Sequence, residues 1–146
     1  MLTESVTVVG NLEIKHLDST GSLKDHRRLK NLVVAAGKDV ITARLIGNTL
    51  PVMSHMAVGN SNTAATSTQT TLSSEVGRVV FDTVTRTANT ATFTTTFPAG
   101  SGTGTLKEAG IFNSNVSGNM LCRTTFTDIV KAAGDIIVIS WSVTVA

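Results

Sequence analysis

Ile137-Val138-Ile139-Ser140-Trp141-Ser142-Val143-Thr144-Val145 carries the sharpest hydrophobic pattern in the chain, and the fold class follows from it. Ile137, Ile139, Trp141, Val143 and Val145 alternate with Val138, Ser140, Ser142 and Thr144, and a period of two places the first five on one face of an extended strand. That face is wholly apolar, with Trp141 at its centre. Burying such side chains stabilises by about 1.5–3 kcal/mol each. The segment is therefore expected in the middle of a sheet, with Ile137, Ile139, Trp141 and Val143 in the core.

The same alternation recurs upstream. Over Thr90 to Phe97, Ala91, Phe93, Thr95 and Phe97 share one face, and Thr92, Thr94 and Thr96 form a polar ladder on the other. Val79 to Thr87 reads as the preceding strand, turned at Ala88-Asn89. Leu106 to Asn113 and Met120 to Phe126 read as strands joined by the polar turn Ser114 to Asn119, with Ile111, Phe112 and Phe126 directed to the core. Met53 to Val58 is a short apolar strand. Residues 1–34 read as an N-terminal hairpin. Its first strand, Val6 to Leu17, is interrupted by a turn or bulge at Gly10-Asn11, and Leu23 to Val34 returns after the turn Asp18 to Gly21.

One segment changes period. Between Ala35 and Asn48 the residues Val40, Ile41, Leu45 and Ile46 fall near helical spacing, with Asp39 early, Arg44 late and Gly47-Asn48 as a stop. A single short helix is expected over about residues 36–47. Residues 59–71, a run of Ser, Thr, Asn, Ala and Gln with nothing to bury, read as an exposed loop or arm, and residues 98–105 as a Gly-rich flexible loop. The expectation is one mainly β domain spanning residues 1–146, an antiparallel β-sandwich or jelly-roll-like fold.

Composition agrees with that class. Thr is the commonest residue and favours pleated, half-buried strands. Charged residues make up only 15% of the chain, against roughly 25% for an ordinary soluble domain, so part of the surface is expected to be covered by something else. A net charge of +2 is too small to argue for a nucleic-acid or membrane-surface partner, and none is expected. The Met1-Leu2-Thr3-Glu4 start has no basic or apolar signal character, and no apolar run approaches the ~20 residues of a membrane span. Synthesis in a cytoplasm as a soluble chain is expected, and the lone Cys122 allows no intrachain disulfide.

No constellation carries chemistry. His16, His26 and His55 lie in unrelated segments without the close spacing of metal ligands; His55 among Met53, Met56 and Val58 reads as a core imidazole, and His26 among charges as a solvated one. Gly100-Ser-Gly102-Thr-Gly104 is followed by a strand, whereas a phosphate-cradling loop opens onto a helix. Cys122, flanked by Leu121, reads as a small buried hydrophobe rather than a nucleophile. The carboxylates Asp18, Asp39, Glu75, Asp82, Glu108, Asp128 and Asp135 are scattered singly and give no acid and base pair. No catalytic residue, metal or cofactor is expected, and the chain reads as a non-enzyme.

One run is densely basic: Lys24-Asp25-His26-Arg27-Arg28-Leu29-Lys30. Lys24, Arg27, Arg28 and Lys30 are the candidate partner-contact residues. On a strand Lys24, His26, Arg28 and Lys30 point one way, as a stripe able to meet phosphate or an acidic protein surface. The alternative is a solvated edge strand guarded from aggregation by its charges.

Lys30-Asn-Leu-Val-Val-Ala-Ala-Gly-Lys-Asp-Val-Ile-Thr-Ala-Arg-Leu45, Ser54-His-Met-Ala-Val-Gly59, Leu106-Lys-Glu-Ala-Gly-Ile-Phe-Asn113, Met120-Leu-Cys-Arg-Thr-Thr-Phe126 and the C-terminal strand together resemble segments of tailed-bacteriophage virion proteins, in particular tail-collar, fibre-attachment and capsid-decoration domains. The resemblance covers most of the chain from about residue 30. It implies an accessory structural protein of a virion, with self-association as a dimer or trimer and contacts to major capsid or tail proteins. Capsid decoration, as a cement protein, is the first reading; a tail, collar or baseplate component is the alternative. A carbohydrate-binding adhesion module stands as a third, weakened by a single Trp and no Tyr for stacking on sugars. In the Glu108-Ala109-Gly110 motif the small residues leave room for another backbone or side chain.

Overall fold

The computed structural model describes residues 2–146. Strands hold 52% of the chain, all antiparallel, with one short helix. In chain order these are β1 (Val8–Leu17), β2 (Leu23–Val33), α1 (Ala35–Leu45), β3 (His55–Gly59), β4 (Glu75–Val80), β5 (Thr83–Thr87), β6 (Thr90–Phe97), β7 (Gly104–Phe112), β8 (Met120–Lys131) and β9 (Ile136–Val145). They form one curled sheet in the order β4-β3-β7-β8-β2-β1-β9-β6-β5. β2 joins its two halves, pairing with β1 along most of its length and with β8 only at Leu32 and Val33. The fold is sandwich-like, with β2-β1-β9-β6-β5 as the first layer and β4-β3-β7-β8 as the second.

The C-terminal strand sits where its apolar face requires. β9 lies between β1 and β6, with Trp141 opposite Leu12 on one side and Phe93 on the other. Ile137, Ile139, Trp141 and Val143 join Leu12, Ile14, Phe93 and Phe97 against Met56, Val58, Ile111 and Phe126 of the second layer. Trp141 is fully buried, so its indole N–H must find an acceptor. It donates to Asn31 Oδ1 at 2.9 Å.

That bond corrects the reading of Gly10-Asn11 as a break. β1 runs through Gly10 in unbroken register, Gly10 opposite Asn31 and Asn11 opposite Lys30. A Cβ on Gly10 would stand 1.6 Å from Asn31 Oδ1, so the glycine makes room for the amide that reaches Trp141. The irregularity in this pair falls instead at His16/Leu17.

Val79 to Thr87 is not one strand. Phe81 N–H donates to Ser54 O at 3.0 Å and Asp82 N–H to Thr94 O at 2.8 Å, so the backbone changes layers between consecutive residues. β4 pairs with β3 on one side, and β5 pairs with β6 on the other. Both end the sheet as its free edges.

The helix starts a residue early, which leaves no acidic side chain in its first turn, and Asp39 lies beyond it. Arg44 is in the last turn, and Gly47, at φ +74°, follows the end. Gly37 lets the helix lie on β8, because a Cβ there would stand 2.2 Å from Leu121 O.

The second layer is buried on both faces. Met56, Val58 and Ile111 face the main core, while Ala57, Phe112 and Met120 gather with Val34 and Leu72 in a smaller cluster on the opposite side. Ile111 and Phe112 thus point to opposite faces. The Arg78 guanidinium lies 3.8 Å from the Phe112 ring centroid.

Candidate docking surfaces

What covers the second layer is the chain itself. Glu108 and Arg123 are both fully buried, with Arg123 Nη2 and Nε donating to Glu108 Oε2 at 2.7 and 2.9 Å. Glu108 also accepts from the Ser73 and Ser74 N–H groups at 3.0 and 2.7 Å, and Arg123 Nη1 donates to Gln69 Oε1 at 3.0 Å. The Ser/Thr-rich run is exposed over most of its length, yet this ion pair ties its end down and Leu72 is buried beneath it. Gly59 gives Glu108 its space, since a Cβ there would lie 2.4 Å from Oε1. Leu72 is the neighbour that the small residues of Glu108-Ala109-Gly110 admit, 3.0 Å from where a Gly110 Cβ would be.

The Gly-rich loop is likewise fastened. Gly100 N–H donates to Ala133 O at 2.8 Å, and Lys131 Nζ donates to Pro98 O at 3.0 Å. Gly102, at φ +59°, packs against Val58 and Phe97.

The outer face of the first layer is bare. Its outward side chains fall in rows set by the register: Thr85, Thr92, Ser142, Asn11 and Lys30 in one, Thr83, Thr94, Ser140, Glu13 and Arg28 in the next. With Thr87, Thr90, Thr96 and Thr144, the β5-β6-β9 part presents hydroxyls without a charge until Asp82 at its margin, which accepts from Thr96. The hydroxyls bond to one another across strands, Thr90 to Thr144 at 2.8 Å and Thr92 to Ser142 at 3.1 Å. Where this array meets the basic strand, Asn11, Glu13, Arg28, Lys30, Ser140 and Ser142 line an open concavity of about 450 Å³.

Lys24, His26, Arg28 and Lys30 are exposed on this face, and Arg27 is not among them. β2 alternates, so Arg27 turns to the other side and fastens β2 to β8 and its own strand. It bonds to Asp25 at 2.8 Å, Thr127 Oγ1 at 2.8 Å, Asp128 O at 3.0 Å and the Thr127 carbonyl. Arg27 is thus a structural tie between β2 and β8, apart from the stripe. Much of the remaining stripe is already neutralised. Glu13 meets His26 and Arg28 at 3.3 Å each and Lys15 at 3.5 Å. Burial raises its carboxyl pKa, but the His26 bond and the charges of His26 and Arg28 outweigh that and hold it below the ordinary value. Lys24 reaches Asp135 at 2.9 Å, which leaves Lys30 with the least engaged ammonium.

Asp135 is the centre of a second buried polar cluster, beside that of Glu108 and Arg123, that the spacing in sequence did not announce. Its Oδ2 accepts from Lys24 Nζ at 2.9 Å and from Ala132 N–H at 3.0 Å, and lies 2.8 Å from His16 Nε2. The Lys24 and His16 bonds hold its carboxyl well below the usual range. His16 and Asp135 are far apart in sequence, and β1-β9 pairing brings them together. Cys122 is buried, and desolvation pushes its thiol up. His55 Nδ1 lies 2.7 Å from Ser54 Oγ, and burial lowers its pKa; His26 is exposed.

A third surface is apolar. Val40, Ile41, Met53, Val84, Phe93 and Val145, with Arg44 and Arg86 also lining it, border an open groove of about 680 Å³ between α1 and the β5-β6-β9 end. Among the described residues no group of three or more His, Cys, Asp or Glu is placed to hold a metal ion, and no helix is long and apolar enough to cross a membrane. No protein-family model, curated protein or solved structure matches the chain.

Proposed function

We propose that the chain is an accessory structural protein that works by docking through the bare face of its first layer, and that its setting is the virion of a tailed bacteriophage. The observation that carries the docking part is the uncharged hydroxyl array on β5, β6 and β9. The cores of protein interfaces are depleted in charge, and hydroxyls that already bond to each other cost less to desolvate than ions do. The phage setting is carried by the resemblance of Leu106–Asn113, Met120–Phe126 and the neighbouring segments to virion domains. Capsid decoration is the first reading and a tail, collar or baseplate position the second. The bordering concavity with Arg28 and Lys30 fits a partner surface that supplies carboxylates at its rim.

Counting copies in purified particles of the encoding phage tests this. Hundreds of copies mean a capsid-wide decoration protein, and about three to twelve mean a tail or collar component, because the symmetry of each location fixes its stoichiometry. Absence from particles overturns the phage setting. A carbohydrate-binding role would be favoured instead by saturable glycan binding of the isolated chain.

A further inference from the structure

The apolar groove lies beside the start of the chain. Thr7 and Ala146 exchange backbone hydrogen bonds at 2.7 and 2.8 Å, and Val145, the neighbour of Ala146, lines the groove. Upstream of Thr7 the segment Leu2-Thr3-Glu4-Ser5-Val6 is exposed, Leu2 fully and Val6 mostly. In an extended segment Leu2, Glu4 and Val6 share one side, and Thr3 and Ser5 the other. One side of this arm therefore carries two apolar anchors with a carboxylate between them. The groove offers the complement: an apolar floor with two guanidinium groups, Arg44 and Arg86, whose hydrogen bonds go to the Leu50 and Ala88 carbonyls and not to carboxylates.

We propose that the arm Leu2–Val6 of a second copy of this chain occupies the groove, with Leu2 and Val6 on its floor and Glu4 against Arg44 and Arg86. The inference rests on the reading of the chain as an assembling protein and names its self-contact. A second copy is the occupant because the Thr7–Ala146 bonds hold the arm's root in line with β1. With those bonds in place the chain's own arm is exposed, Leu2 fully and Val6 mostly, and stays out of its own groove, which leaves the groove open to another copy's arm. Fully extended, the arm's five residues reach at most about 17 Å, enough to cross to a neighbour docked at the groove. Mutual exchange between two copies is self-complementary and closes the assembly.

A paired-cysteine experiment reads this directly. Leu2→Cys and Val84→Cys are placed in one chain, both exposed and so compatible with folding, and Cys122 is too buried to compete. Equal amounts of chain grown in light and heavy nitrogen are mixed and oxidised. The proposal expects disulfide-linked peptides that join positions 2 and 84 and carry one isotope on each side. Linked peptides of one isotope only, or no cross-link, overturn it. In sedimentation, Glu4→Arg is expected to weaken self-association about tenfold or more, and Arg44→Glu with Arg86→Glu in the same chain to recover most of it. A chain that stays monomeric while still found in phage particles overturns arm exchange alone, whereas a chain that self-associates through the arm and is absent from particles overturns the phage setting alone.

Discussion

The two layers differ most in what lies on their outer faces. The second layer, β4-β3-β7-β8, is covered by its own chain: Leu72 sits on Phe112 and Met120, and the Glu108–Arg123 pair grips the backbone at Ser73 and Ser74. The first layer, β2-β1-β9-β6-β5, leaves its outward side chains uncovered, and those on β5, β6 and β9 are almost all Thr and Ser. A face that the chain covers by itself does its work in holding the fold. A face that is left bare, uncharged and regular is available to a partner. Stability and contact are thus divided between the two outer faces.

The largest loss belongs to the covered layer. Arg123→Ala leaves Glu108 buried without its cation, and unfolding in denaturant should show about 3–5 kcal/mol less stability. Loop residues 60–74 should then become susceptible to protease before the strands do. Replacing both partners together, Glu108→Leu with Arg123→Met, should cost far less than Arg123→Ala alone, because no charge is left unpaired. An equal cost would mean that the pair holds the loop by packing and not by charge.

Within the core of the first layer, Asn31→Ala removes the acceptor of the buried Trp141 indole. A loss of about 1–3 kcal/mol is expected, together with a shift in tryptophan fluorescence. Gly10→Ala should be tolerated only in combination with it, since the Cβ would occupy the place of the Asn31 amide.

Acid probes the margin between the strands. Asp135 has its folded pKa below the unfolded value of about 3.9, so its contribution is full above that pH and fades as pH falls toward the folded value. Asp135→Asn should lower the melting temperature at pH 7, and its deficit relative to the wild-type chain should shrink below about pH 4. A deficit that stays constant down to pH 2 would assign it to packing.

The bare face should show the smallest effect on folding. Thr92→Val is expected to change stability within about 0.5 kcal/mol in denaturant titration.

The first layer was legible in the sequence for the same reason that it is bare. With one face in the core and one in the open, Ile137 to Val145 and Thr90 to Phe97 alternate cleanly, and the helix and the hairpin of β1 and β2 followed from period and turn residues. The covered layer hid its organisation. β3 and β7 are buried on both sides, which blurs the alternation, and the residues that cover them come from a Ser/Thr-rich run with Leu72 as its one sizeable apolar anchor. A lone Glu108 among scattered carboxylates carried no mark of Arg123, fifteen positions away on the paired strand. Gly10 read as a break because its reason, the Asn31 amide, lies across the hairpin. The basic run was legible as a stripe, and alternation on β2 sets Arg27 apart from it, with its partners on β8 and at Asp25 of its own strand. Asp82 marks where one apparent strand becomes two, a change of layer with no local turn signature.

Whether the bare face is the docking surface is decided by placing charge on it without disturbing the covered layer. Thr92→Glu with Ser142→Glu sets two carboxylates in the middle of the hydroxyl rows. Phage assembled with this variant is purified and its copies per particle are counted by quantitative mass spectrometry, beside a melting curve of the isolated chain. A melting temperature within a few degrees of wild type and loss of the variant from particles are expected. Incorporation at the wild-type copy number would contradict docking through the bare face.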